Sequence, residues 1–360
     1  MSSNPGQGAE PIQPASQGEI TDSPLWHFHD YDLGHGTFTL MRIEEQLYRE
    51  ASFLDSRIQE YECPSVRYEL KHLAGMFPRL EPSRSALGFI FHIGHCGSTL
   101  LSRALAVSAR TLPLREPLTL RNLSADEREL DSPMAFMSRP DWEWLLATVL
   151  DSFSRRFRPA QLNIVKATST GNNLIRPILD ANPGHRALLL HVSLESYLAT
   201  MLGKDKQGGD LWGQARTRMR DLQGISADPG FSLHQLSAAQ LAVLSWLTSM
   251  NFLLAARDRF GERVLMLDFE QLLAEPESHL RSAAAFFGLT EDSDAIAAGF
   301  AEVASGYSKR PSRRYTPALR EELLRRTRTE CGQEISEGMA WGESLMARIP
   351  GLAALGEFSD

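Results

Sequence analysis

Five short apolar runs, separated by longer stretches with helical periodicity, constrain the fold of this chain more than any other feature. The runs are GFIF (88–91), TLPL (111–114), LNIVKA (162–167), RALLLHV (186–192) and RVLMLDF (263–269). The helical patterns lie at 98–108, 141–157, 172–181, 195–203, 235–259 and 277–287. Strands that are apolar throughout and alternate with helices are typical of a parallel sheet covered on both faces. The sequence therefore predicts a three-layer α/β domain with a central parallel sheet flanked by helices.

The chain of 360 residues divides into four segments by composition and periodicity. Residues 1–25 are rich in Ser, Gly, Pro and Gln and have no apolar core, which predicts a disordered tail rather than a signal peptide. Helical periodicity over 38–58 predicts that residues 26–85 form a helical leader packed on the core. The α/β domain is expected at 86–345 and a C-terminal tail at 346–360.

The composition limits the function classes. A hydrophobic content of 42% with 23% charged residues is ordinary for a soluble globular protein. A net charge of −8 argues against a nucleic-acid-binding surface over the whole molecule. The three cysteines are far apart in sequence, which indicates a reducing compartment, and no apolar run approaches the roughly 20 residues of a membrane helix. We expect a cytoplasmic protein that binds neither nucleic acid nor membrane, and its oligomeric state stays open.

The turn after the first run has the composition of an anion-binding loop. It reads GHCGST (94–99), in which Gly94 and Gly97 permit a tight turn with positive φ. Backbone N–H groups at the start of the following helix would point at an anion, and the hydroxyls of Ser98 and Thr99 can donate to phosphate oxygens. In the alternative interpretation, Ser98 merely caps the helix of an ordinary turn. The motif GxxxxGK[ST] is absent, which argues against an ATPase or a nucleoside or nucleotide kinase.

Polar residues also follow the other runs, at the point where each predicted strand ends. In parallel sheets ligands bind outside the carboxyl ends of the strands, so these residues are candidates for the functional site. They lie at 92–98, 115–116, 166–169, 193–196 and 268–270. No metal site is predicted, because His92 and His95 adjoin a predicted strand end instead of lying one turn apart on a helix, and no second ligand cluster appears. Cys96 lacks a recognisable His and Asn partner, so we interpret it as a small loop residue rather than a nucleophile.

Four motifs in this order resemble the sulfotransferase superfamily, whose members have a P-loop-like fold and use 3′-phosphoadenosine 5′-phosphosulfate (PAPS). IGHCGSTLL resembles the family's loop, and LREPL supplies a Glu near the end of the second strand. NIVKATS and DANPGHRALLLHV resemble the family's third and fourth strands with their turns. RVLMLDFEQLLAEPESHLRSAAAFFGL resembles its Tyr-Glu-Asp-Leu, Asp-Pro-Glu and Phe-Leu-Gly-Leu segment. The resemblance covers about residues 86–345 and indicates a divergent member.

The resemblance implies transfer of a sulfuryl group from PAPS to a hydroxyl or amine of a small molecule or peptide. His95 stands where the family has a permanent cation, so it would stabilise the leaving phosphate while protonated. Glu116 would be the general base, and Lys166 would contact the sulfonate unless it is merely paired to a carboxylate. The 5′-phosphosulfate would be bound at the loop and the start of the next helix, by Gly94, Cys96, Gly97, Ser98, Thr99 and Leu100.

The residues that would hold the 3′-phosphate depart from the family. Ser193 and Ser196 follow the fourth strand, but the family's Arg is missing there and Glu195 adds negative charge. The segment 309–314 would compensate with basic side chains that fold over the cofactor, whereas 320–328 is interpreted as a solvated basic helix face. The basic residues expected to contact the cofactor are Lys309, Arg310 and Arg313.

Two further hypotheses concern the use of the site. The segment 203–235 would cover the site and define the acceptor pocket, with Trp212 and Arg216 as candidate contacts. Because a histidine replaces the loop cation and an Arg is missing, the alternative function is a catalytically eroded relative that acts as a nucleotide-binding or interaction module.

Overall fold

The structure of this protein is a computed structural model that describes residues 17–77, 85–204, 209–305 and 317–359. Most of the predicted tail lies outside these ranges. The basic residues predicted to contact the cofactor lie outside them too, namely Lys309, Arg310 and Arg313. The end of the predicted tail is folded, because the short helix α1 (Gln17–Asp22) buries Ile20.

The leader is a small antiparallel sheet and not the helical segment that periodicity predicts. Its strands are β1 (Trp26–Asp32), β2 (Thr37–Arg42) and β3 (Ser65–Glu69), in the order β1-β2-β3. Phe28 and Phe38 are fully buried, with ring centroids 5.6 Å apart. Within 38–58 only α2 (Glu45–Glu50) is α-helical. Leu40 lies on a strand, and several later apolar residues reach the core from irregular backbone. The spacing of apolar residues therefore could not distinguish a strand with irregular backbone from a helix.

The central sheet confirms the predicted α/β fold. Its strands are β4 (Gly88–His92), β5 (Thr111–Arg115), β6 (Leu162–Lys166), β7 (Arg186–His191) and β8 (Val264–Asp268). They lie in the order β5-β6-β4-β7-β8, and every neighbouring pair is parallel. The chain passes from one side of β4 to the other between β6 and β7. The carboxyl end of β4 is therefore the switch point, where ligands bind in sheets of this kind.

Helices cover this sheet. They are α3 (Leu73–Met76), α4 (Ser98–Leu105), α5 (Leu118–Glu127), α6 (Arg139–Ser154), α7 (Ile175–Ala181), α8 (Leu194–Lys204), α9 (Gly209–Ile225), α10 (Ala238–Phe260), α11 (Phe269–Ala274), α12 (Pro276–Phe286), α13 (Ser293–Ser305), α14 (Pro317–Glu330) and α15 (Gly332–Arg348). The six predicted helical patterns correspond to α4, α6, α7, α8, α10 and α12, with small shifts at their ends.

The helix α10 passes through the core. It begins at a capping box in which the side chains of Ser237 and Gln240 each accept from the other's backbone N–H. Within the described residues, Ala238–Arg263 is the stretch that length and composition would allow to cross a membrane. However, 72% of the 18-residue apolar part of this stretch is buried in the fold. Trp246 Nε1 on this helix donates to the carbonyl of Val192 at 2.9 Å. In this structure α10 is therefore a core helix.

The last residues of the chain are packed and do not form the predicted C-terminal tail. A 3-10 helix at Pro350–Phe358 follows α15 and buries Leu352 and Leu355. The carbonyl of Ser359 accepts from the backbone N–H of Glu195 at the start of α8. The C-terminal residues thus extend the core next to the strand-end region.

A buried guanidinium joins the leader to the central sheet. Arg115, the last residue of β5, is 1% exposed. Its Nη1 donates to three backbone carbonyls at the end of α2, those of Tyr48 at 3.4 Å, Arg49 at 3.1 Å and Ala51 at 2.7 Å. Its own carbonyl accepts from Leu54 N–H at 2.7 Å. Burial lowers the pKa of Arg115 to about 9, and nearby Arg103 and Arg49 add to the effect, so the group stays charged at neutral pH. The end of β5 is therefore fixed by leader backbone.

Acid should weaken the fold through a histidine buried in the leader. Burial, with repulsion from His29 and Arg155, lowers the pKa of His27 to about 3, against 6.5 in an unfolded chain. Between these values the unfolded chain binds a proton that the folded chain does not, so stability falls as the pH falls from about 6.5. We expect the free energy of unfolding to be about 2 kcal/mol lower at pH 5 than at pH 7 from this group alone.

Urea denaturation at the two pH values measures this difference. His27 stacks on Phe153 with ring centroids 5.1 Å apart, so His27→Phe keeps the packing and removes the titration. We expect the variant to lose that part of the pH dependence. An unchanged difference between pH 7 and pH 5 in His27→Phe would show that other groups cause it.

Candidate active site

The loop after β4 contains residues with left-handed backbone. Gly94, His95 and Gly97 have φ values of 88°, 52° and 79°, and α4 begins directly after them at Ser98. Left-handed residues next to right-handed ones gather successive backbone N–H groups around one point. The first N–H groups of α4 have no acceptor within the helix and extend this set of donors. Positive φ values followed directly by a helix N-terminus are features of anion-binding loops.

Packing requires glycine at two positions of this loop. A Cβ atom at Gly97 would lie 2.1 Å from Cε2 and Cζ of Phe269, the first residue of α11. A Cβ atom at Gly94 would lie 3.2 Å from the Cβ and Oγ of Ser169, which follows β6. The loop is thus held closely between residues that follow β6 and β8.

His92, the last residue of β4, connects the loop to the end of β6. Its Nδ1 accepts from the Gly94 N–H at 3.0 Å, and its Nε2 lies 3.0 Å from the carbonyl oxygen of Ala167. These contacts are satisfied by a neutral ring with its proton on Nε2. Both ring nitrogens are engaged, and within the described ranges no group of three His, Cys, Asp or Glu side chains could hold a metal ion.

The hydroxyls of Ser98 and Thr99 lie at the N-terminus of α4. Gly97 occupies the N-cap position without a side-chain cap, so the interpretation of Ser98 as a cap is wrong. Both side chains are 6% exposed, and no hydrogen bond joins either hydroxyl to another described residue. The two hydroxyls therefore remain able to donate to a bound anion.

The Cys96 thiol should be unreactive in the folded protein. It is fully buried, and burial raises its pKa to about 12, so the nucleophilic thiolate is scarce at pH 8. Cys63 and Cys331 are partly exposed. Titration with Ellman's reagent at pH 8 should give the Cys96→Ser variant the same rapid thiol count as the wild type, with the difference appearing only after denaturation. Rapid labelling of Cys96 in the native protein would contradict its burial.

His95 contacts the helix α9. Its Nε2 lies 3.2 Å from Asp210 Oδ2, and its side chain is 14% exposed. The predicted cover, 203–235, therefore does reach the loop through α9. Trp212 and Arg216, the candidate acceptor contacts within it, are exposed on this helix and stay predictions.

The predicted base and the predicted sulfonate contact are bonded to each other. Lys166 Nζ donates to Glu116 Oε1, and the Glu116 N–H donates to the Lys166 carbonyl at 2.7 Å. Lys166 is 1% exposed and Glu116 is 16% exposed. The two side chains, both selected because they follow predicted strands, thus lie together. Lys166 is paired to a carboxylate, which was the alternative interpretation of this residue.

A leader residue completes this cluster. Arg57 Nη2 lies 3.2 Å from Glu116 Oε2, while Asp55 accepts from Arg57 Nε at 2.8 Å and from Nη2 at 2.5 Å. The Arg57 guanidinium also lies over the ring of Phe53, with its Cζ 3.3 Å from the centroid. The carboxylate of Glu116 is therefore held between a buried lysine and a half-exposed arginine.

Two residues of this region, His95 and Glu116, have strained backbone. Among the described non-glycine residues, positive φ occurs at Glu62, His95 and Glu116, with values of 50°, 52° and 53°. Such a conformation costs about 1–3 kcal/mol and persists where the surrounding structure enforces it, most often at functional sites. Two of these three residues, His95 and Glu116, follow β4 and β5 and are predicted catalytic residues.

The region predicted to hold the 3′-phosphate already contains paired charges. Ser196 N–H donates to Ser193 Oγ at 3.3 Å, and Ser196 Oγ donates to Glu270 Oε1 at 2.7 Å. Arg320 Nη1, from α14, lies 3.1 Å from the same carboxylate oxygen, and its buried Nη2 has no hydrogen-bond partner. The interpretation of 320–328 as a solvated face is therefore wrong for Arg320, whose side chain is 12% exposed.

The solved structures that this chain is similar to include several sulfotransferases. They include the sulfotransferase domain from the Synechococcus PCC 7002 olefin synthase, with 17% identity, a TM-score of 0.39 and coverage of 68% of this chain and 90% of that one. A sulfotransferase from Alicyclobacillus acidocaldarius has 13% identity, a TM-score of 0.34 and coverage of 74% and 95%. Sulfotransferase STF1 from Mycobacterium tuberculosis H37Rv has 14% identity, a TM-score of 0.38 and coverage of 79% and 81%.

No protein-family model matches the sequence, and no curated protein matches it either. At these identities and TM-scores the likeness says nothing about individual site residues. The function is therefore inferred from the residues of the site itself.

Sequence reasoning missed four charged residues of this region. They come from the leader, from α9 and from α14, and are Arg57, Asp210, Arg218 and Arg320. Each acts across a long sequence separation, so no local spacing could identify it. The sequence pointed only to the segment that carries α9, because residues 203–235 were expected to cover the site.

Proposed function

We propose that this protein transfers a sulfuryl group from PAPS to a hydroxyl or amine acceptor. The observation that carries the proposal is the loop at the carboxyl end of the central strand. There a left-handed backbone, a helix N-terminus and the unbonded hydroxyls of Ser98 and Thr99 converge. Such a site suits a phosphate or sulfate group, and it lies beside a carboxylate and a lysine.

The loop fits the donor at its anionic end. The close approach of Gly94 and Gly97 to neighbouring residues leaves backbone N–H groups, rather than side chains, facing the anion. PAPS, when bound, supplies a sulfuryl group joined to a phosphate that becomes the leaving group. Backbone donors, with Ser98, Thr99 and a protonated His95, would stabilise the charge that develops on that phosphate.

Glu116 would accept the proton of the acceptor group. Its two oxygens are not equivalent, because Oε1 bonds to buried Lys166 whereas Oε2 faces the half-exposed Arg57. An acceptor that enters from the solvent side can displace Arg57 more easily than Lys166. We therefore expect Oε2 to take the proton while Lys166 holds Glu116 in place and neutralises charge on the transferring group.

The contacts of the adenosine end of the donor stay predictions. Ser196 and Arg320 both bind Glu270, and a 3′-phosphate would have to share these donors with that carboxylate. The unpartnered Nη2 of Arg320 is the donor that is available without breaking a contact. Lys309, Arg310 and Arg313 remain the predicted additional contacts.

Calorimetry with 3′-phosphoadenosine 5′-phosphate, the desulfated product, tests the proposal. We expect micromolar binding, weakened in Ser98→Ala and absent for adenosine, which has no phosphate to occupy the loop. Transfer of radiolabelled sulfate from PAPS to a panel of phenols, alcohols and amines tests turnover. No binding of the product at millimolar concentration would overturn the proposed function.

A second candidate function is a nucleotide-binding module without turnover. The observation that favours it is the position of Glu116 between two cations, which leaves no oxygen of the carboxylate free in this structure. This candidate predicts product binding as tight as in the first case, with no transfer to any acceptor. Measured transfer that disappears in Glu116→Gln would exclude it.

A further inference from the structure

The helix α9 presents polar side chains to the loop region from one face. Asp210, Gln214 and Arg218 are four residues apart and therefore lie on the same side of the helix. Asp210 contacts His95, and Arg218 Nη2 donates to the carbonyl of Ser169 at 3.1 Å and to Gln214 Oε1 at 3.2 Å. Of these three residues only Arg218 is buried, and burial of a charged group is costly unless it is paired and bonded.

Arg218 is buried with part of its hydrogen-bonding capacity unused. The residue is 1% exposed, yet neither its Nε nor its Nη1 has a hydrogen-bond partner. Asp221 Oδ2 lies 3.8 Å from Nη1, beyond hydrogen-bond distance. A buried guanidinium normally has its donors satisfied by a carboxylate or by carbonyls. These two nitrogens therefore lack the partners that the fold provides elsewhere.

The nearby carboxylate does not neutralise Arg218 alone. Asp221 accepts from Arg128 Nε at 2.6 Å and from Arg128 Nη2 at 3.0 Å, a two-point contact. Two guanidinium groups thus share one carboxylate, which leaves an excess of positive charge in a dry interior. Burial lowers the pKa of Arg218, as expected for a cation with incomplete compensation, and Arg128 adds a smaller repulsion.

The location of this excess charge is next to the loop. The Ser169 carbonyl accepts from Arg218, and the side chain of the same serine lies 3.2 Å from the position that a Cβ would take at Gly94. The guanidinium is therefore one residue away from the loop backbone. An anion bound between the loop and Arg218 would be attracted strongly, because the guanidinium is buried in a low-dielectric interior.

We propose that Arg218 is an anion-binding residue of this site, and that its Nε and Nη1 donate to oxygens of the sulfonate or phosphate group held by the loop. The inference rests on the proposed function for the identity of the anion. It deepens that function by assigning a permanent cation beside a loop in which His95 is charged only when protonated. The guanidinium fork matches two oxygens of a tetrahedral anion, which a lysine would not.

The test compares Arg218→Met with Arg216→Met, a matched control on the exposed face of the same helix. Melting temperatures are measured without ligand, with sodium sulfate and with 3′-phosphoadenosine 5′-phosphate, and calorimetry gives the affinity for the nucleotide. We expect Arg218→Met to melt no lower than the wild type without ligand, because Asp221 keeps its contact with Arg128. We expect its affinity for the nucleotide to fall at least about tenfold, as the loss of a charge-assisted pair implies.

The outcomes separate the two proposals. If the wild type binds the nucleotide and Arg218→Met binds it equally well, the role of Arg218 is overturned while the proposed function stands. If only sulfate stabilises the wild type, and does so through Arg218, the role of Arg218 stands and the proposed function fails. If neither probe binds the wild type, both are overturned.

A structural role would give a different pattern. Arg218→Met would then melt well below both the wild type and Arg216→Met before any ligand is added. Should Arg218→Met fail to fold, Arg218→Lys replaces it, because it keeps the charge beside Asp221 and removes the fork. An affinity for the nucleotide that is unchanged in Arg218→Lys would overturn the inference.

Discussion

Replacing Gly97 with alanine should lower the free energy of unfolding by about 3 kcal/mol or more and abolish nucleotide binding. The φ of 79° places the residue in the left-handed region, where a Cβ costs about 1–2 kcal/mol. The new Cβ would also lie 2.1 Å from the Phe269 ring, so either the loop or α11 must move. Urea denaturation measures the first effect, and calorimetry with 3′-phosphoadenosine 5′-phosphate measures the second.

Two other glycines separate the causes of this effect. Gly36→Ala isolates the backbone conformation, because its φ is 63° and no atom lies within 4 Å of the added Cβ. Gly171→Ala carries neither cost, since its nearest neighbours are at 3.7 Å and its φ is not positive.

Phe269→Leu, combined with Gly97→Ala, should recover part of the stability by removing ring atoms from the clash. Equal losses in Gly97→Ala and Gly36→Ala would mean that the Phe269 contact is relieved without cost.

Glu116→Gln should reduce turnover by a factor of about 100 or more, as the removal of a general base does, while product binding persists. The same change leaves Lys166 as a buried cation without its carboxylate, so the variant should also lose about 2 kcal/mol of stability. Steady-state transfer assays and urea denaturation measure the two effects separately.

The double variant Glu116→Gln with Lys166→Met distinguishes catalysis from stability. Removing both charges should restore most of the free energy of unfolding, because no unpaired ion remains buried. Turnover should stay low, since no base is present. Glu62→Gln is the matched control, an exposed residue with a φ of 50° that lies outside the site. Turnover at the wild-type level in the double variant would place the base elsewhere.

The central sheet could be predicted because its strands are short and apolar throughout. A run such as RALLLHV, flanked by helical patterns, is typical of a strand in a sheet that helices cover on both faces. The leader offered no such signal. Phe38 and Leu40 alternate as a strand requires, yet the residues that follow share the spacing of a helix, and only contacts with the core decide between them.

The candidate site was predictable to the extent that topology determines it. Parallel strands end at one edge, so the neighbourhood of Glu116 and Lys166 followed from their positions after two strands. Their direct bond and the left-handed backbone at His95 did not, because they depend on how the loop packs. The individual roles of Arg57 and Arg218 could not be predicted either, since their partners Glu116 and Ser169 are 59 and 49 residues away in sequence.

The contacts of Arg115 and Arg57 bear on how this protein could be shortened or recombined. Leader carbonyls satisfy a charged group at the end of β5, and a leader side chain touches the carboxylate that follows it. In a fragment that starts at the first strand of the parallel sheet, the guanidinium of Arg115 would lose its carbonyl acceptors and become exposed. Glu116 would lose its contact with Arg57. Exchange of N-terminal segments between relatives should therefore fail unless residues 48–57 are transferred together with the turn after β5.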